Sequence, residues 1–240
     1  MKRFAAIGLS VVLAACGGGG NNAPASAPMG TAEGFWEGPA STGVSVALAV
    51  LENGETWGVY TSSGSIVGAL YGNTTFTGTT LSGSGKDFNI PSRSVGSGTY
   101  SGTFVTKSSI NVTTSAGSSF SGTYNTAYDQ PASLAAVAGS FSGTGVSGTS
   151  PVQTISVAIS PSGSMTTPAS LGCSAAGVAT PRPSGKNIFD VMVTFTGSTC
   201  ALGNGASTTG VAYYNATTRR LLVMAMNAAK SDGFIYVGQK

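Results

Sequence analysis

A chain of 240 residues with 36 glycines, 41% hydrophobic and only 8% charged residues can bury one large core or two small ones, and its apolar content excludes a disordered polymer. Eleven basic against eight acidic residues make it mildly basic, at a net charge of +3, but two of the basic ones, Lys2 and Arg3, fall in a segment expected to be removed on export, which leaves the body near neutrality. The body then lacks the basic cluster that nucleic-acid binding requires, and the absence of histidine excludes imidazole bases, Ser-His-Asp triads and HExxH zinc sites.

In chain order, Met1-Lys2-Arg3 and the apolar residues 4–13 have the form of an export signal, too short to span a bilayer. Leu13-Ala14-Ala15-Cys16 then resembles the lipobox of bacterial lipoproteins. The resemblance implies removal of residues 1–15, diacylglycerol on the Cys16 thiol and acylation of the new amine. Several acyl chains hold such a protein stably, since each buried methylene contributes about 0.8 kcal/mol. Gly17 in place of Asp implies, by that family's sorting rule, the outer membrane, with the periplasmic and surface-facing orientations both open. Residues 16–32, rich in Gly, Asn, Ala and Pro without a hydrophobic period, read as the lipidated cysteine and a flexible tether.

Beyond the tether, turn signals recur about every eight to twelve residues between alternating or β-branched stretches, the all-β pattern. Segments near residues 35, 46, 56, 66, 76, 98, 110 and 121 supply eight strands for a first unit, residues 33–130, with Asn53-Gly54 as a hairpin turn. Gly34-Phe35-Trp36-Glu37-Gly38 is matched by Gly139-Ser140-Phe141-Ser142-Gly143, and the strand before Asn53-Gly54 by the strand before Ser162-Gly163. This predicts a second copy of the unit over residues 131–240, led by a weak helical segment at 133–137 and closed by a strand at 234–237. The expected fold class is all-β: two tandem antiparallel up-and-down barrel-like units, with one continuous β-sandwich as the alternative.

The G-x-W-x-G opening resembles that of avidin-like and lipocalin-like barrels, which implies that Trp36 plugs one end. Residues 184–191 and 210–214 resemble uncharacterised lipoproteins of proteobacteria; that likeness implies location and fold and supplies no activity. Segments 189–195 and 221–226 are apolar at both parities, whereas a wall facing water alternates, so the second unit is expected to pack on the first. The Ser- and Thr-rich strands between residues 73 and 124 read as a wetter wall.

With Cys16 assigned to lipid, Cys173 and Cys200 form an even pair flanking two strand-like segments, 174–180 and 188–196, that a hairpin brings together. A disulfide closing this loop of about 28 residues contributes about 3 to 4 kcal/mol on the chain-entropy model. Gly83-Ser84-Gly85-Lys86-Asp87 lacks phosphate-loop spacing and reads as a hairpin turn, as do the sequon-like triplets at 73–75, 111–113 and 215–217. Glu33, Glu37, Glu52 and Glu55 are the candidates for a glycosidase pair, but Glu52 and Glu55 flank a hairpin tip, where acids solvate. Asp190, within an apolar strand, needs Lys186 or Arg182 as a partner.

Trp57 and Tyr60 fall on opposite faces of one strand, and Tyr213 and Tyr214 on opposite faces of another. Tyr60 and Tyr214 are thus the candidate recognition aromatics, placed to stack on a glycan or anchor a protein. The pattern contains no expected catalytic, metal or cofactor residue. The expectation is a non-enzymatic binding or interaction module held on a membrane. The alternatives are an inhibitor or capture protein for a host or competitor enzyme, acting through a loop at 172–183, and a carrier of a small apolar ligand.

Overall fold

The computed structural model describes residues 30–147 and 150–240; the expected export signal, the expected lipidation site Cys16 and the expected tether up to residue 29 lie outside them. Eight strands, β1 (Gly34–Pro39), β2 (Ser45–Val50), β3 (Glu55–Ser62), β4 (Ser65–Thr77), β5 (Thr80–Asn89), β6 (Ser94–Val105), β7 (Ser109–Thr114) and β8 (Ser119–Tyr124), pair antiparallel in sequence order. β8 returns to β1 through Trp36 opposite Tyr124, closing a barrel. A 3-10 turn (Thr126–Asp129) and the short helix α1 (Leu134–Val137), capped by the Ser133 hydroxyl, lead into the second barrel. Its strands are β9 (Gly139–Ser147), β10 (Gln153–Ile159), β11 (Ser164–Ser170), β12 (Cys173–Pro181), β13 (Phe189–Thr196), β14 (Ser207–Asn215), β15 (Arg220–Met226) and β16 (Gly233–Gln239). β16 closes on β9, so both units are complete barrels rather than one sandwich, and neither leaves a strand edge unpaired.

The two barrels share local chemistry as well as topology. In the β2–β3 turn, Gly54 donates to the Leu51 carbonyl and its own carbonyl accepts from the Thr74 amide of β4. In the β10–β11 turn, Gly163 donates to the Ser160 carbonyl and accepts from the Ala179 amide of β12. Both glycines have positive φ, 83° and 85°, and a Cβ on either would collide with the strand carbonyl above it. The Asn53-Gly54 and Ser162-Gly163 signals therefore mark equivalent turns.

Three expectations about strands need correction. The segments near residues 66 and 76 are one thirteen-residue strand, β4, and the missing strand is β5, which contains the Gly83 to Asp87 stretch expected to be a turn. The strand continues through Gly83 and Gly85 because close neighbours need the space: a Cβ at Gly83 would lie 2.3 Å from the Tyr100 ring, and one at Gly85 2.5 Å from the Tyr71 carbonyl oxygen. Two of the three sequon-like triplets, at 73–75 and 111–113, likewise lie within β4 and β7, while Asn215 does open a turn, its side chain accepting from the Thr217 and Thr218 amides.

Contacts between strands that are not neighbours identify the inner faces. Phe76 of β4 meets Phe104 of β6, Phe141 of β9 meets Tyr214 of β14, and Phe195 of β13 meets Phe234 of β16. Trp36, fully buried, lies on the inner face of the first barrel, donating its indole N–H to the Ala32 carbonyl and meeting Tyr124 edge-on. A hydroxyl chain, Thr56 to Thr74 to Tyr100, crosses the same interior at 2.6 and 2.8 Å, satisfying polar groups that burial would otherwise penalise.

The outer faces of β1 to β4 carry Phe35, Ala49, Trp57, Val59 and Ala69, and these join Val211, Tyr213, Leu222, Met224, Met226 and Ile235 of the second barrel in one apolar cluster. Phe35 and Tyr213 stack across it with ring centroids 3.8 Å apart. This contact explains why β15 is buried on both faces. β13 is different: its outward residues Asp190, Met192 and Thr194 are only partly covered, and Met192 stays 50% exposed. On the far side of the first barrel, β5 to β8 present the expected polar wall of exposed Ser, Thr and Asn. Cys173, at the start of β12, is bonded to Cys200, beyond the end of β13, with Cα atoms 4.9 Å apart.

Candidate functional site

Two hollows open where the barrels meet. The smaller, about 180 Å³, is lined mainly by apolar side chains, among them Phe88, Val95, Met224 and Ile235. The larger, about 380 Å³, is a cleft of mixed character and falls in the size range of small-molecule sites, which favour such domain junctions.

The second barrel supplies one wall from the outer face of β12 to β14. Strand register aligns Val178, Met192 and Thr209 in one row and Thr180, Asp190 and Val211 in the next. The first barrel supplies Glu55 and Trp57, two apart on β3 and so on the same outer face. Arg182, just past β12, and Lys230, in the β15–β16 turn, complete the lining.

Each cation makes a contact with the opposite barrel. Arg182 donates Nε to Glu52 at 2.9 Å and Nη1 to Asp190 at 2.5 Å, joining the β2–β3 hairpin to β13. Burial alone would lower its pKa, but the bonds to Asp190 and Glu52 outweigh that and hold the guanidinium above its ordinary value. The Lys230 ammonium lies 5.3 Å from the centre of the Trp57 ring and 4.8 Å from that of Tyr71, and the two rings meet edge-on. Such cation–π contacts contribute about 0.5 to 2 kcal/mol each. The loop is fixed from across the junction, because Lys86 of β5 donates to the Lys230 carbonyl at 2.8 Å. Tyr71 donates its hydroxyl to Glu55, and burial, with the Glu55 charge second, raises its pKa.

The apolar part of the lining is open: Val178 and Met192 are 45% and 50% exposed. Trp57, by contrast, is almost wholly buried, and among the described residues its indole N–H finds no acceptor.

The recognition aromatics expected from strand parity are placed otherwise. Tyr60 turns into the first barrel, where burial and then the Asp87 carboxylate push its hydroxyl far above the ordinary tyrosine pKa. Tyr214 turns into the second barrel, 5% exposed, against Phe141 and under the Lys240 ammonium. Their opposite-face neighbours Tyr213 and Trp57 do point outward, but into the junction. Parity separated the faces correctly; it carried no information about which outer wall the other barrel covers. Trp57, together with Asp190, Met192 and Val178, is what the sequence reading missed as a group, since these residues are more than 100 positions apart in part and meet only through the docking of the barrels.

The four glutamates do not form a pair. Glu33 accepts from Tyr128, Glu37 from Asn125, Glu52 from Arg182 and Glu55 from Tyr71. Asp190 does take Arg182 as its partner, but on the outer face of β13 rather than in the core. The loop expected at 172–183 is largely strand β12, and the exposed tip beside it is Leu171, 81% exposed, with its carbonyl held by the Thr199 hydroxyl. Among the described residues, no group of three or more His, Cys, Asp or Glu side chains is arranged to hold a metal, and no helix is long and apolar enough to cross a membrane. No protein-family model, curated protein or solved structure matches the chain.

Proposed function

We propose that the chain is a lipid-anchored outer-membrane lipoprotein whose double barrel acts as a non-enzymatic binding module. The observation that carries the binding part is the inter-barrel cleft, assembled from side chains of both units and open to solvent at Val178 and Met192. Recognition is assigned to this outer surface because aromatic and aliphatic side chains of the chain itself occupy both barrel interiors. Support for the anchor is the Leu13-Ala14-Ala15-Cys16 motif after a short apolar segment, with a Gly-rich stretch before the first strand.

Expression of wild type and Cys16→Ser in a Gram-negative host with radiolabelled palmitate tests the anchor. Wild type is expected to take up label and sediment with outer membranes; the variant should be unlabelled and leave the membrane fraction. Membrane attachment that persists without Cys16 overturns the anchored reading. Turnover by the purified protein that vanishes on substitution of one carboxylate overturns the non-enzymatic one.

A further inference from the structure

From the chemistry of the cleft we infer that its ligand is a neutral saccharide of one or two rings. This rests on the reading of the protein as a binding module and adds the class of ligand. Charge bears on the ligand first. Arg182 is already shared by Glu52 and Asp190, Lys230 is held over two aromatic rings, and Glu55 receives the Tyr71 hydroxyl. The charged groups of the lining, Arg182 and Lys230 against Glu55 and Asp190, sum to zero, so a ligand with net charge gains no net attraction there to offset its desolvation.

Hydrogen-bonding capacity bears on it second. Each of Asp190 and Glu55 has only one oxygen engaged among the described residues, which leaves the other free to accept from a ligand hydroxyl. Thr180 and Thr209 are exposed and add hydroxyls that both donate and accept. Acceptors and hydroxyls that both donate and accept thus line one open cleft.

The apolar surface of the cleft bears on it third. Val178 and Met192 sit side by side in register on adjacent strands, exposed, beneath this polar ring. A sugar ring presents apolar C–H faces bounded by hydroxyls that donate and accept, which is the complement of such a lining. A purely apolar ligand would take water from the free carboxylate oxygens and the threonine hydroxyls without replacing it, at a cost of the kind that makes unpaired buried polar groups unfavourable.

The test uses the full lipidated chain labelled with 5-fluorotryptophan, in a polyoxyethylene detergent so that no sugar headgroup competes. The chain has two tryptophans, Trp36 in the first barrel's interior and Trp57 at the cleft, so two fluorine resonances are expected and Trp57→Phe assigns them. Glucose, galactose, N-acetylglucosamine, cellobiose, lactose and chitobiose are titrated, with inorganic phosphate and hexanoate as anionic and apolar controls. At least one saccharide is expected to shift the Trp57 resonance saturably and leave Trp36 unmoved. Thr209→Trp, which fills the cleft from an exposed position, should weaken that saccharide at least about tenfold. No saturable shift with any saccharide, a larger response to phosphate or hexanoate, or binding that survives Thr209→Trp overturns the inference. The anchored reading stands or falls separately on the Cys16→Ser fractionation.

Discussion

At the scale of single residues, Asp129 shows how few charges hold the junction. Its carboxylate receives Lys107 from the first barrel and Lys186 from the β12–β13 connection of the second. Burial pushes its pKa up, but the hydrogen bonds from Lys186 and Lys107 prevail and keep it below the usual aspartate value. A folded-state pKa below the unfolded one, about 3.9, stabilises the fold at pH above that value and loses the contribution as pH falls through the folded pKa. Asp129→Asn is therefore expected to cost about 1 kcal/mol at neutral pH, modest because Lys107 is half exposed. Urea melts should show the difference between wild type and variant shrinking below about pH 4. A difference unchanged by pH would mean that geometry, not ionisation, is responsible.

At the scale of elements, glycine makes the strand contacts possible where strands approach closely. Gly38 lies on the inner face of β1, where a Cβ would be 2.0 Å from the Ser121 carbonyl oxygen of β8, a backbone atom that cannot move alone. That is the seam at which the first barrel closes, joined by two register pairs and the bridge of Ala40 to Phe120. Gly43, in the β1–β2 turn at φ 83°, has nothing within 4 Å of such a Cβ. Gly43→Ala should cost about 1 kcal/mol through backbone strain alone. Gly38→Ala should cost more than about 2 kcal/mol and loosen the seam. Thermal melts compare the two, and equal losses would refute the close-approach explanation. The same physics explains why β5 was illegible in the sequence: glycine and serine signal turns when read locally, and only the neighbouring strands reveal that Gly83 and Gly85 make room for Tyr100 and the Tyr71 backbone.

At the scale of the whole molecule, the barrels are stabilised by one another as well as by their interiors. Met224 faces outward from β15 yet is 5% exposed, because it lies against the first barrel; Met192 faces outward from β13 and is 50% exposed. Met224→Asp places an unpaired carboxylate in the junction and should destabilise by about 3 kcal/mol or more, with faster proteolysis between the barrels at residues 125–138. Met192→Asp should change stability by less than about 0.5 kcal/mol. Denaturation with limited proteolysis distinguishes them, and similar behaviour would mean that the barrels do not depend on their contact.

Much of this architecture was readable along the chain, because its determinants are local. Alternation with repeated turn signals implied β structure, the Gly34 and Gly139 openings implied two copies, and Cys173 and Cys200 flanked segments that do pair as β12 and β13. The two apolar parities of residues 221–226 even implied that the second barrel is covered on one side. What only the tertiary structure decided is which walls meet and what is left between them. Parity assigns a residue to a face, but a barrel interior and a barrel-to-barrel contact are both apolar, so the pattern could not reveal that Tyr60 and Tyr214 turn inward or that Tyr213 is covered by Phe35. The cleft depends on contacts such as Arg182 with Glu52, 130 positions apart, which arise only once two closed barrels dock.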